Sequence, residues 1–383
     1  MNLSKTENQE GNMQPGVLDK PLFAGIPAVN LRLVLSVTIL ILAIVSRFYD
    51  VGLRVMSHDE VNHVVPSYDL FTGKGYRHDP VTHGPMQFHL VAASYFMLGD
   101  SDFSSRVPAV LFSIAAVAFI LFYFPRFMGK NGALIAAFLF TISPYMLFYG
   151  RYTRNEAFIE LLGVVMLFAV LAYLESGNAK YFYLLTASIV LHFCTKETAF
   201  IYTAILLVFL ALNFLRETSE LRSLDSSARK RFNIMALLAG AGLFIMLGAS
   251  AIGAGMNKPA SDDVAAASTA SAISAMPVWV QACIYGGLAV GLILGILALA
   301  NLVNALGWNK IRKLRSFDLL VLIITLILPQ LVAFPIKLVG WDPLDYTSTG
   351  MIRTGIGIVL FLAISVAIGY WWKGMTWLKN AAL

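Results

Sequence analysis

Apolar residues in this chain fall into long, nearly unbroken runs rather than alternating with polar ones. Such runs approach the ~20 residues a helix needs to cross a bilayer. The first covers Leu31–Arg47. Others follow at Val107–Phe124, Ala133–Tyr149, Ala157–Leu174, Tyr181–Phe193, Ala199–Leu215, Phe232–Ile252, Trp279–Leu302, Leu319–Phe334 and Arg353–Trp372. The pattern predicts an all-α polytopic membrane protein with about ten transmembrane helices. Pro108 is expected in the first turn of the second run, where no needed backbone donor is lost. Pro144 is expected to bend or end the third run. Glycines in the eighth run suit close helix packing.

The connections divide the chain. Residues 1–30 are polar and read as a disordered cytoplasmic tail. Residues 31–215 form one transmembrane module with a large first outer loop, 51–106, and residues 216–383 form a second. Basic loops at Arg216–Arg231 and Asn309–Arg315 fall on one side of the membrane together with Arg126, Lys130, Lys180 and Lys373. The positive-inside rule makes that side cytoplasmic, so the first loop faces out. The loop Asn257–Pro277, with Asp262 and Asp263, is rich in small residues and faces out as well.

Composition agrees. Apolar residues make up 58% of the 383, charged residues 13%, and mean hydropathy is +0.73. The formal charge of +6 sits in short loops beside apolar runs rather than on one basic face, which argues against nucleic-acid binding. Cys194 and Cys283 are isolated and form no metal-binding pair by spacing. The first 30 residues lack the basic-then-apolar order of a cleavable signal peptide. The expected location is the cell (inner) membrane, with the site on the extracytoplasmic side.

Candidate chemistry concentrates between Arg54 and Arg106. Five of the six histidines lie there (His58, His63, His78, His83 and His89), with Asp59, Glu60, Asp69 and Asp79. Ionisable side chains in so apolar a chain are expected at functional or water-exposed places. Asp59 and Glu60 are adjacent acids; such a carboxylate can take a proton from an attacking hydroxyl, or hold a divalent metal ion with a histidine. His58 and His63 are five apart, which does not stack them on one helix face and argues against a zincin-type pair. A loop bringing His58, His63 and His83 together leaves metal binding open. His83-Gly84-Pro85 reads as a rigid turn. Arg106 opens the second span, Arg151, Arg154 and Glu156 recur together, and Lys196 and Glu197 follow the fifth span, all at outer helix ends. Cations there fit either lipid headgroups or a bound phosphate.

Five pieces carry a family likeness: SHDE at Ser57–Glu60, THGPM at Thr82–Met86, SRVPAVLF at Ser105–Phe112, SPYMLFYGRYTRNE at Ser143–Glu156 and TKETAF at Thr195–Phe200. With them the chain resembles the membrane glycosyltransferases of the C superfamily, which use a polyprenyl-phosphate-linked sugar and include the protein O-mannosyltransferases and the aminoarabinose transferases of lipid A. It looks closest to the flippase-associated proteins of archaeal protein glycosylation. The resemblance covers about Leu31 to Leu215. It implies a catalytic aspartate at Asp59, followed by Glu60, with His63 where the family often has a tyrosine. It also implies a histidine turn at His83, and outer arginines at Arg106, Arg151 and Arg154 that, with Lys196, meet the donor phosphate. Relatives often carry a soluble extracytoplasmic domain after the last span. The expectation is that this chain lacks it or that a partner membrane or soluble subunit supplies it.

The implied reaction is a single displacement with inversion, without nucleotide; the chain shows no Walker or Rossmann glycine pattern. Two other classes are weighed against it. A lipid-linked-sugar flippase or transporter is expected to place its charges near the midplane and to show paired halves. A structural subunit of a membrane complex would keep the fold without turnover.

Overall fold

The computed structural model describes residues 16–23, 26–76, 83–221, 224–256, 276–343, 345 and 347–373. Arg77, His78, Asp79, Arg222, Asp262 and Asp263 lie outside these. The chain forms two compact units, Met1–Tyr202 and Thr203–Leu383. Among the described residues it is an all-α membrane protein apart from one short strand pair. Among the described residues seven helices are long and apolar enough to cross a membrane, where the sequence pattern suggests about ten.

In the first unit, β1 (Pro21–Phe23) pairs antiparallel with β2 (Ile26–Asn30). This ribbon and a 3-10 turn at Val17–Asp19 occupy part of the stretch that the sequence suggests is disordered. Asp19 pairs with Arg32 of α1 (Leu31–Phe48) at 2.7 Å, which holds the turn to the helix. Four helices follow the loop after α1: α2 (His58–Phe71), α3 (Met86–Leu98), α4 (Asp102–Tyr123) and α5 (Pro125–Ile142). The short α6 (Pro144–Tyr149) leads to α7 (Glu156–Ser176) and α8 (Ala179–Phe193).

Helices α4 and α7 form the centre. Over their apolar stretches 61% and 56% of residues are buried, against 17% for α1, whose surface is left mostly uncovered by the rest of the chain. Ile39 and Ala43 of α1 pack on Val117, Ile120 and Leu121 of α4 and on Leu134 and Ala137 of α5. Phe168 and Ala172 of α7 close on Phe124 and Ala133.

Helix α9 (Ala199–Glu220) begins in the first unit and continues into the second. The division expected at 215/216 falls near its other end. In the second unit, α10 (Ser226–Met256) packs along α11 (Val278–Leu306). A Cβ on Gly287 would lie 2.5 Å from the Gly242 carbonyl oxygen, so glycine sets this spacing. Then come α12 (Trp308–Ile311), α13 (Arg315–Ile327), α14 (Ala333–Leu338) and α15 (Ser348–Lys373).

Three of the expected runs form shorter or interrupted helices, each for a local reason. The run Ala133–Tyr149 is cut at Ser143, because Pro144 starts a new helix. The Tyr181–Phe193 run lies in α8, a 15-residue helix, which spans about 22 Å of a ~30 Å hydrocarbon core. The Leu319–Phe334 run leaves the α-helix at Ile327 for a 3-10 turn containing Pro329.

Candidate active site

The polar stretch after α1 folds as helix rather than loop. Ser57 caps α2: it accepts from the Glu60 amide, and the Glu60 carboxylate accepts from the Ser57 amide. This reciprocal box satisfies two of the donors that every helix start leaves open. The same Glu60 carboxylate is a hub. Oε1 accepts from Arg106 Nε at 2.8 Å and from the Thr153 amide at 3.2 Å. Oε2 accepts from Arg106 Nη2 at 3.0 Å, Arg54 Nη2 at 2.9 Å and the Ser57 amide at 3.1 Å. Burial by itself would raise its pKa. The Arg106 bonds and the two amides outweigh burial and hold the carboxyl below its usual range.

Arg106 is as fully engaged. Besides Glu60, its Nη1 donates to the carbonyls of Val51 (2.7 Å) and Arg54 (2.9 Å). Neither the Arg106 nor the Glu60 side chain has accessible surface. The expectations that Glu60 is a catalytic carboxylate and that Arg106 grips a phosphate therefore meet a buried pair turned inward.

Asp59, one residue away, faces a different environment. Its side chain is 53% exposed and accepts from Arg154 Nη1 at 2.8 Å. Arg154 continues to Glu156 (Nε to Oε2, 3.4 Å), and Glu156 to Lys196 (2.6 Å). A line of alternating charges thus runs from the first turn of α2, through the 150–155 segment and the start of α7, to the segment after α8.

The second line of contact is made of backbone. The Gly84 amide donates to the Thr195 carbonyl at 3.1 Å and the Met86 amide to the Cys194 carbonyl at 2.9 Å. A Cβ at position 84 would stand 2.3 Å from the Cys194 oxygen, so only glycine permits this approach. His83 itself adopts φ = 69°, and its Nδ1 lies 2.6 Å from Glu197 Oε2. Its ring stacks on His63 with centroids 6.2 Å apart, and Phe88 closes the other contact at 5.9 Å. His63 is 4% exposed. Burial first, then the fields of His83 and Arg154, push its pKa down to about 4.

His58 stands apart: it is exposed, and its Nδ1 lies 3.5 Å from Asn62. The structure thus brings His63 and His83 together but not His58. Among the described residues no group of three or more His, Cys, Asp or Glu is arranged to hold a metal ion.

Arg151 donates to the Tyr49 carbonyl, and its buried Nε has no hydrogen-bond partner among the described residues. It borders a cavity of about 310 Å³ with Asp50, Val51, Arg54, Pro144, Leu147 and Phe148. Sequence reading treats Arg54 as one more loop charge. Here its guanidinium lies 4.9 Å from the Tyr152 ring centre and 5.6 Å from that of Phe148. The Tyr152 hydroxyl in turn bonds Ser57 Oγ. The serine-x-x-glutamate spacing at Ser57–Glu60 was the available signal for α2 and for the inward role of Glu60. One turn below Glu156, Glu160 has both carboxylate oxygens buried and unpartnered among the described residues. The nearby Arg47 directs its donors instead to Ser113 Oγ, Ser46 Oγ and the Thr141 and Phe140 carbonyls.

Residues 82–224 match the family described as dolichyl-phosphate-mannose-protein mannosyltransferase. The matched stretch contains His83, Arg106, Arg151, Arg154, Glu156, Lys196 and Glu197, and begins after Asp59 and Glu60. No curated protein and no solved structure matches the chain. The chain is a membrane protein related over this stretch to a mannosyltransferase family.

Proposed function

We propose that the chain is an inverting glycosyltransferase that moves a sugar from a polyprenyl-phosphate donor to an acceptor at the outer face of the cell membrane. The observation that carries this reading is Asp59: an exposed carboxylate, oriented by Arg154, at the head of the line of charges that ends at Lys196. The family match over residues 82–224 supports the reaction class.

In this reading the acceptor hydroxyl or amine approaches Asp59, which takes its proton. The freed lone pair attacks the anomeric carbon from the face opposite the phosphate, and the carbon–oxygen bond to the polyprenyl phosphate breaks. The departing phosphate needs fixed positive charge. The cavity between Arg54 and Arg151 offers it, and the Pro144, Leu147 and Phe148 wall suits the first carbons of the lipid. Arg154 and Lys196 set the position of Asp59 and Glu156. His83, held by Glu197, lies on the seam beside them. Glu60 and Arg106 hold the loop in place.

The test is sugar transfer from a panel of short-chain polyprenyl-phosphate sugars, with and without chelator. Asp59→Asn is expected to lower the rate about a hundred- to ten-thousand-fold, as removal of a positioned base does. Arg151→Ala is expected to weaken donor binding. Transfer by Asp59→Asn at the wild-type rate would overturn the assignment. Loss with chelator alone would make a metal ion part of the reaction.

A further inference from the structure

The second unit carries an apolar groove with its own charge pattern. Ile296, Leu299, Ala300, Val303 and Asn304 of α11 form one wall, and Trp308 and Trp371 border an open groove of about 550 Å³. The two indoles pack together, with ring centroids 5.1 Å apart. Arg312 braces them. Its guanidinium lies 5.5 Å from the Trp371 ring centre and donates to the carbonyls of Trp371 and Trp372.

The charges beside the groove are unbalanced. Lys310 and Lys313 are exposed, and neither forms an ion pair among the described residues. The acids close by are already engaged. Asp318 accepts from Lys373 Nζ at 2.8 Å and from the Trp372 indole at 3.1 Å. Glu217 accepts from Ser316 and Asn213.

Length places this end of the unit at a membrane surface. Helix α11 has 29 residues, so it runs about 44 Å, longer than the ~30 Å hydrocarbon core. Its last turns and the Trp308, Lys310 and Lys313 that follow, with Trp371 packed on Trp308, therefore reach the headgroup level, where indoles concentrate. A groove that is aliphatic apart from Asn304, aromatic at its mouth and flanked by free cations has the chemistry of one lipid class.

We propose that this groove binds an anionic phospholipid. One acyl chain lies along the α11 wall with its first carbons against the packed indoles, and the headgroup phosphate is held by Lys310 and Lys313. The site is independent of the transfer reaction proposed above.

The experiment uses the full chain, purified in detergent, and follows its thermal midpoint on addition of phosphatidylglycerol, phosphatidylcholine with the same acyl chains, or glycerol 3-phosphate. Phosphatidylglycerol is expected to raise the midpoint well beyond phosphatidylcholine, and glycerol 3-phosphate to leave it unchanged. Lys310→Gln with Lys313→Gln is expected to abolish the difference between the two lipids and to weaken phosphatidylglycerol binding about tenfold or more, since each lysine near an anionic headgroup contributes appreciably. Both lysines are exposed, so the variant keeps the fold. Ala300→Phe, which fills the groove, is expected to reduce the response to phosphatidylglycerol without touching a charge. Equal shifts with both lipids, an undiminished preference in the double lysine variant, or a full response to glycerol 3-phosphate would each overturn the proposal.

Discussion

Arg106 and Glu60 meet through two parallel hydrogen bonds, Nε to Oε1 at 2.8 Å and Nη2 to Oε2 at 3.0 Å, with no accessible surface on either side chain. Forty-six residues separate them, so the bond pins the start of α2 to the first turns of α4. Removing one partner of such a pair strands a buried charge, at a cost of about 3–5 kcal/mol. Arg106→Ala is therefore expected to reduce the yield of folded protein and its thermal midpoint, rather than to weaken donor binding alone. Arg106→Lys should rescue little, because an ammonium cannot reproduce the two-pronged geometry. A folded Arg106→Ala protein of wild-type stability that binds donor poorly would return Arg106 to the phosphate.

Gly84 gives a sharper steric test. Any side chain there meets the Cys194 carbonyl, which a Cβ would approach to 2.3 Å. Gly84→Ala is expected to open the seam between residues 84–86 and 194–195 and to cut transfer strongly. The amides of Gly84 and Met86 should then exchange hydrogen faster than in wild type. Unchanged exchange in Gly84→Ala would contradict the role given to the seam.

His63 makes stability depend on pH. Its pKa is about 4 in the folded chain against 6.5 for the free group, so the unfolded state binds the proton first. Stability is complete above pH 6.5 and is lost as pH falls toward 4, by about 3 kcal/mol over that window. His63→Phe keeps a ring against Phe88 and His83 and removes this proton. The thermal midpoint of His63→Phe should fall less between pH 7 and pH 4.5 than that of wild type; identical drops would refute the prediction.

Glu160 points the other way. Its carboxylate oxygens are buried without partners among the described residues, and an unsatisfied buried acceptor costs about 1–3 kcal/mol or more when charged. Glu160→Leu is expected to raise the thermal midpoint. A lowered midpoint would mean that the carboxylate is satisfied in the folded chain.

Seven of the spans were legible because hydropathy reads apolar length directly. Two other runs are interrupted by backbone events at Pro144 and Pro329, which hydropathy does not register, and the third, in α8, is short already in the sequence. The location of the charged cluster was also legible, since Asp59, Arg154, Glu156 and Lys196 stand out in apolar surroundings. What each one does was not. Asp59 and Glu60 are indistinguishable as neighbours in sequence, and one helical step turns the first outward and the second inward. The pairing of Gly84 with Thr195 leaves no periodic mark, because main-chain bonds between distant segments depend on shape rather than on residue type.

The Gly84–Thr195 bond also sets a timetable. Its two ends are 111 positions apart, so at about 5–20 residues per second the ribosome delivers the second end roughly 5–20 seconds after the first. Through that interval His83 has neither Glu197 nor the Cys194 carbonyl to hold its turn. The loop after α1 waits, unsewn, until α8 has been made. A nascent chain halted before Cys194 should therefore be open to protease around residues 83–86, and one halted well beyond Phe200 should be protected.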